Sequence, residues 1–205
     1  MLAALTGMGL SAAAGLNAYI PFMIVALIAR FTDVITLPSS FQWIESPWAI
    51  GVGALLLLTE LVLDKIPAID TVNDAIQTFI RPSMGGLIFA ATNAAESLDK
   101  STWMGDNPWV GVVLGFVVSG LVHSGKMAAR PAINAGTLGA GAPVVSTAED
   151  GASLGLSLIA IFIPILVIFA LIGLAWLLVW MWLKVRKWKK RRLHRGGPDP
   201  AYPRP

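Results

Sequence analysis

Five long apolar stretches constrain this chain more than anything else in it. They cover about 3–31, 48–65, 82–98, 109–126 and 153–183, and each approaches the roughly 20 residues that a helix needs to cross a bilayer. Charged residues make up 13% of the 205, and mean hydropathy is +0.71. A soluble domain carries about 25% charge because its surface faces water. The sequence therefore predicts an all-α polytopic transmembrane bundle over 1–183, with a basic, Pro-rich tail over 184–205. Asn93 and Glu96 interrupt the third stretch, and Pro164 and Gly173 should tilt or kink the last. Met1–Thr6 lacks the positive start of a signal peptide, so the first stretch reads as a retained span.

Two further segments are too polar or too broken to span simply. Between Ile66 and Ile80, Ile69, Val72, Ile76 and Phe79 lie opposite Asp70, Asn73, Asp74 and Gln77. That spacing predicts a short amphipathic helix at the interface or packed on the bundle. Arg130–Asp150 is rich in Gly, with Pro131 and Pro143, and reads as a broken or re-entrant segment. Irregular backbone at membrane depth needs protein or water to satisfy it. A shift of 61 residues lays Pro47-Trp48 on Pro108-Trp109, Lys65 on Lys126, Asn73 on Asn134 and Pro82 on Pro143. The match suggests duplicated units over 47–98 and 108–160, on the broken-helix plan of many transporters.

Small residues recur every fourth position at Ala3, Gly7, Ser11 and Gly15, and again at Gly111, Gly115 and Ser119 before His123. Such ridges let helix backbones approach closely in lipid. Packing within one bundle is the expected use, and a homo-oligomer contact is the alternative.

Charge is distributed unevenly. Eight basic residues lie between Lys184 and Arg195, which leaves 7 Lys/Arg against 12 Asp/Glu elsewhere, a net of −5. The pI of 9.5 thus belongs to the tail, and no basic folded face points to nucleic acid. The tail reads as an anchor on anionic membrane lipids, with Trp188 at the interface. The positive-inside rule places it in the cytoplasm. Five spans then put Lys65, Arg81, Lys126 and Arg130 outside; six spans, with 130–150 crossing, would satisfy every preference.

Intramembrane charges are costly and are functional suspects. Glu60 and Asp64 are four apart on one helix face, as are Lys126 and Arg130, with His123 one turn before. Asn17, Asn93 and Asn134 offer a donor and an acceptor among small neighbours, suited to an ion, a polar headgroup or an interhelical bond. Glu149-Asp150 should favour the N-terminal end of the last helix, with cation binding the alternative. Cysteine is absent, which excludes disulfides and thiolate chemistry. No HExxH, GxSxG, kinase or EF-hand pattern occurs, and His123 is the single histidine outside the tail. Neither a metal nor a cofactor is expected.

Gly15-Leu16-Asn17-Ala18-Tyr19-Ile20-Pro21, followed by Pro143-Val144-Val145-Ser146 and Glu149-Asp150, resembles the bacterial membrane family catalogued as domain of unknown function 4126. The resemblance covers about 5–180 and implies an inner-membrane protein without supplying an activity. The family pattern often has a polar residue before the proline; Ala142 departs from it, which counts against a ligand role there. From the buried charges, the broken segment and the repeat, the expected function is a small transporter or channel-like protein for a polar, anionic solute or lipid headgroup. The alternatives are a non-catalytic membrane scaffold and, more remotely, a lipid-modifying enzyme using Glu60, Asp64 and His123.

Overall fold

The computed structural model describes residues 2–93, 107–137 and 141–195, and all regular structure among them is helical. Seven α-helices follow one another: α1 (Leu2–Leu16), α2 (Tyr19–Phe31), α3 (Pro47–Leu63), α4 (Pro67–Asn93), α5 (Pro108–Thr137), α6 (Ala142–Phe162) and α7 (Ile165–Arg195). A 3-10 helix, Ser39–Glu45, precedes α3 and meets it at 55°. Among the described residues two helical segments are long and apolar enough to cross a membrane, Pro108–Arg130 and Ala142–Phe162, or three if that bent pair counts as one.

The stretch 3–31 is not a single span. Asn17 ends α1 and starts α2: its side-chain oxygen accepts from the N–H groups of Tyr19 (3.0 Å) and Ile20 (3.1 Å). A capping side chain of this kind satisfies first-turn donors and lets a new helix begin in a new direction. α1 packs against α6, with Ser153 donating to the Ala13 carbonyl and Ala160 closing on Gly9. α2 runs back antiparallel to α3, with Phe22 against Gly53 and Arg30 donating to the Glu45 carbonyl. Leu10, Val25, Ile88 and Ala160 consequently share one apolar core. At 1.5 Å per residue α1 is about 22 Å long, short of the hydrocarbon thickness of about 30 Å. The pair is a hairpin with its tip inside the molecule.

The last stretch also divides. Ile163 and Pro164 separate α6 from α7, as the proline foreshadowed. Beyond Val167 the described side chains of α7 are half-buried or exposed, and its helix carries the basic tail as far as Arg195. Residues 196–205 lie outside the described residues. The segment 130–150 is far more regular than its glycines and prolines suggested. α5 continues through Pro131 to Thr137, and α6 already begins at Ala142 with Pro143 in its first turn, where a missing N–H costs nothing. The 61-residue shift does not superpose the breaks. The turn at 64–66 maps onto 125–127, inside α5.

Residues 67–80 form the N-terminal half of α4 rather than a separate helix, and the structure shows which of its faces turns inward. Gln77 is 3% exposed and Asn73 7%, whereas Phe79 is 77% exposed. Polar groups point inward and apolar groups outward, the arrangement that a lipid surround rewards. Both small-residue ridges are buried within the chain. A Cβ on Gly15 would meet the Ser119 carbonyl at 2.6 Å, and one on Gly115 would collide with the Gly85 carbonyl.

Candidate functional site

The helices bring their ionisable groups to one level of the bundle, where the α1–α2 hairpin turns. Glu60 comes from the end of α3 and Asp64 from the turn after it. Arg81 comes from the middle of α4, Lys126 and Arg130 from α5, and Glu149 from α6. All six have side chains no more than 14% exposed. Arg81 Nη2 donates to Glu60 Oε1 at 2.6 Å. Asp64 sits at the centre: its Oδ2 lies 3.5 Å from Arg81 Nη2, 3.6 Å from Lys126 Nζ and 3.7 Å from Arg130 Nη2. Its Oδ1 accepts from Asn73 at 2.6 Å. Glu149 Oε2 receives both Arg130 Nη2 at 2.7 Å and Lys126 Nζ at 3.0 Å, and Lys126 also donates to the Leu16 carbonyl at 3.2 Å. Three acids face three bases, so the layer is neutral.

His123 closes the layer on one side. Its Nδ1 lies 3.4 Å from Arg81 Nη1 and its Nε2 lies 3.1 Å from Thr78 Oγ1. A guanidinium offers no acceptor, so this contact needs a neutral ring whose Nε2–H donates to Thr78. Asp150 forms the opposite edge, accepting from Asn17 at 2.9 Å and lying 3.5 Å from Lys65. Around the layer the exposed side chains include the apolar Leu58, Val62, Phe79 and Leu121, with the hydroxyls of Thr59 and Ser124 turned back onto backbone carbonyls. Buried acceptors remain to be filled, since Glu60 Oε2, Gln77 Oε1 and Ser146 Oγ have no hydrogen-bond partner. Among the described residues no group of three or more His, Cys, Asp or Glu could hold a metal ion.

The family model for the domain of unknown function DUF4126 matches residues 4–184. The chain belongs to that family. Comparison with curated proteins and with solved structures returned no match. In this DUF4126 chain the Asn17 and Glu149-Asp150 motifs, 133 residues apart, meet through the Asn17–Asp150 hydrogen bond.

Of the residues singled out from sequence, Glu60, Asp64, His123, Lys126, Arg130 and Asn17 all lie in or beside this layer. The side chains of Asn93 and Asn134 lie outside the described residues. Lys126 and Arg130 do share a face, but Glu149 and Asp64 already compensate them, so they are not a bare cationic surface. Glu149 and Asp150 are the eighth and ninth residues of α6, well past its N-terminal turn, and they serve as partners to side-chain cations rather than to the helix dipole. Arg81 was missed. Its signal was the ladder Asn73, Gln77, Arg81 at four-residue intervals, which a soluble-protein habit reads as a wet face.

Proposed function

We propose that this DUF4126 chain is a small transporter or channel-like protein of the bacterial inner membrane, multi-pass, with its basic tail in the cytoplasm, acting on a polar, anionic solute or lipid headgroup. One observation carries the reading: six ionisable side chains are gathered at the tip of a broken hairpin, inside an apolar girdle. Each charge at the centre of a membrane helix costs about 2.5–3.5 kcal/mol on insertion scales. Holding helices together needs far fewer of them. Half-helices that meet at polar residues are also how transporters build midplane sites.

The neutrality of the layer favours a second reading, a non-catalytic scaffold whose charges only lock the bundle. Proteoliposomes separate the two. The wild type should pass small anions such as acetate or phosphate, or scramble phospholipid, faster than empty vesicles, and Lys126→Ala should abolish this at temperatures below its own melting midpoint, which loss of the buried charge lowers. Flux and scrambling at the level of empty vesicles would leave the scaffold. A reporter fused after Pro205 that is active only in the periplasm would overturn the orientation.

A further inference from the structure

Glu149 differs from the other two acids of the layer. The side chains of Glu60 and Asp64 are 1% and 2% exposed, whereas that of Glu149 is 14% exposed. It stands on α6, which leans on α1 and scarcely touches α5, the helix that carries both of its cations. A single oxygen, Oε2, takes Lys126 Nζ and Arg130 Nη2 together. Two cations converging about 3 Å from one point form a locus for an anionic oxygen, as charge-assisted bonds of this length do. Ser146, one turn before Glu149 on α6, is fully buried and its hydroxyl has no partner. A buried hydroxyl without a partner is costly unless something comes to it.

We infer that Glu149 is a built-in stand-in for the ligand: its carboxylate fills a two-cation site on Lys126 and Arg130 that takes a singly charged oxyanion, a carboxylate or a phosphodiester, when Glu149 turns out. The charge count sets the valence. With Glu149 gone the layer holds Arg81, Lys126 and Arg130 against Glu60 and Asp64, a surplus of one positive charge. A monoanion restores neutrality, and a dianion overshoots it. The Ser146 hydroxyl, one turn away on the same helix, is a buried donor with no partner among the described residues. This assignment rests on the anionic-ligand reading above but concerns binding, and its test is independent of flux.

The test uses the full-length protein in detergent with three probes: acetate, sulfate and short-chain phosphatidylglycerol. Glu149→Gln keeps the side chain's size and removes its charge. It should bind a monoanionic probe at least about tenfold more tightly than wild type, equivalent to about 1.4 kcal/mol, with sulfate gaining less. The double variant Lys126→Met/Glu149→Gln restores neutrality and should show no gain. A gain with acetate identifies a soluble carboxylate as the natural source, and a gain with phosphatidylglycerol alone identifies a lipid phosphodiester. If folded Glu149→Gln gains nothing with either monoanion, the inference falls. It falls equally if Glu149→Gln fails to fold in the presence of any probe while the double variant folds, because Glu149 is then a structural counter-charge. Tighter binding without flux would sink the transport reading alone; flux without a gain in binding would sink this site alone.

Discussion

The same helices hold the two ends of the bundle together by opposite means. Toward Leu2, Asn93 and Phe162 the contacts are dry and very close. Gly7 lies against Phe89, Gly9 against Ala160 and Val167, and Gly115 against the Gly85 backbone. The polar groups there are hydroxyls that return to backbone carbonyls, such as Ser11, within 2.7 Å of the Gly7 oxygen and 2.9 Å of the Gly85 oxygen. At the level of Asn17 the contacts are long side chains reaching across gaps to carboxylates. In lipid, small residues gain by letting backbones approach, since no solvent is expelled between helices. Buried charges gain only where each finds its partner, and they lose heavily when one is removed. The dry end should therefore be sensitive to added volume, and the charged end to deleted charge.

The largest effect should come from Arg81→Met. It leaves Glu60 without its 2.6 Å partner and Asp64 without one of three cations, and should cost about 3–5 kcal/mol of stability. Melting in detergent checks this, and Glu60→Gln/Arg81→Met should recover more than half of the loss. An unchanged midpoint for Arg81→Met would mean that the charged end holds nothing, and the comparison would fail. Next comes Gly115→Leu at the dry end, where overpacking should cost about 1–3 kcal/mol. Gly155→Leu is its control, because a Cβ at Gly155 meets nothing within 4 Å. Equal melting of the two glycine variants would remove the close-packing account. The smallest effect should be Asn17→Ala, a lost cap worth about 1 kcal/mol. It sharpens the comparison because Asn17 also ties the hairpin tip to Asp150; a cost near zero would show the hairpin is held from the dry end alone.

How much of this was legible follows the same division. The ridges at Gly7, Ser11, Gly15, Gly111, Gly115 and Ser119 were readable because a four-residue period of small side chains has one strong meaning in apolar helices. That Lys126 and Arg130 share one helix face, and Glu60 and Asp64 another, was readable from their four-residue spacing. The turn at Asn17 was not, because an apolar run of 29 residues (3–31) looks like one span and a half-helix hairpin leaves no gap in hydropathy. Which face of α4 turns inward was not legible for a related reason. Amphipathicity gives the two faces of a helix but not which of them meets lipid. Glu149 and Asp150 were assigned to a helix end because Gly136, Gly139 and Gly141 looked like loop, whereas helix α5 persists through Pro131 to Thr137.

The ion pairs also bear on how such a chain can be made. Arg81 and Glu60 are 21 residues apart, on the adjacent helices α3 and α4, and Arg130 and Glu149 are 19 apart, on α5 and α6. Each of these helix pairs carries one internal counter-charge, so each can leave the insertion machinery with a single layer charge still open, an acid on the first and a base on the second. The ties that cross between hairpins, Asp64 to Lys126 and Asn17 to Asp150, are the longer or uncharged ones. They can form last, when the two helix pairs meet, and the tie from Asp64 to Lys126 then closes the one acid left over on the first pair and the one base left over on the second.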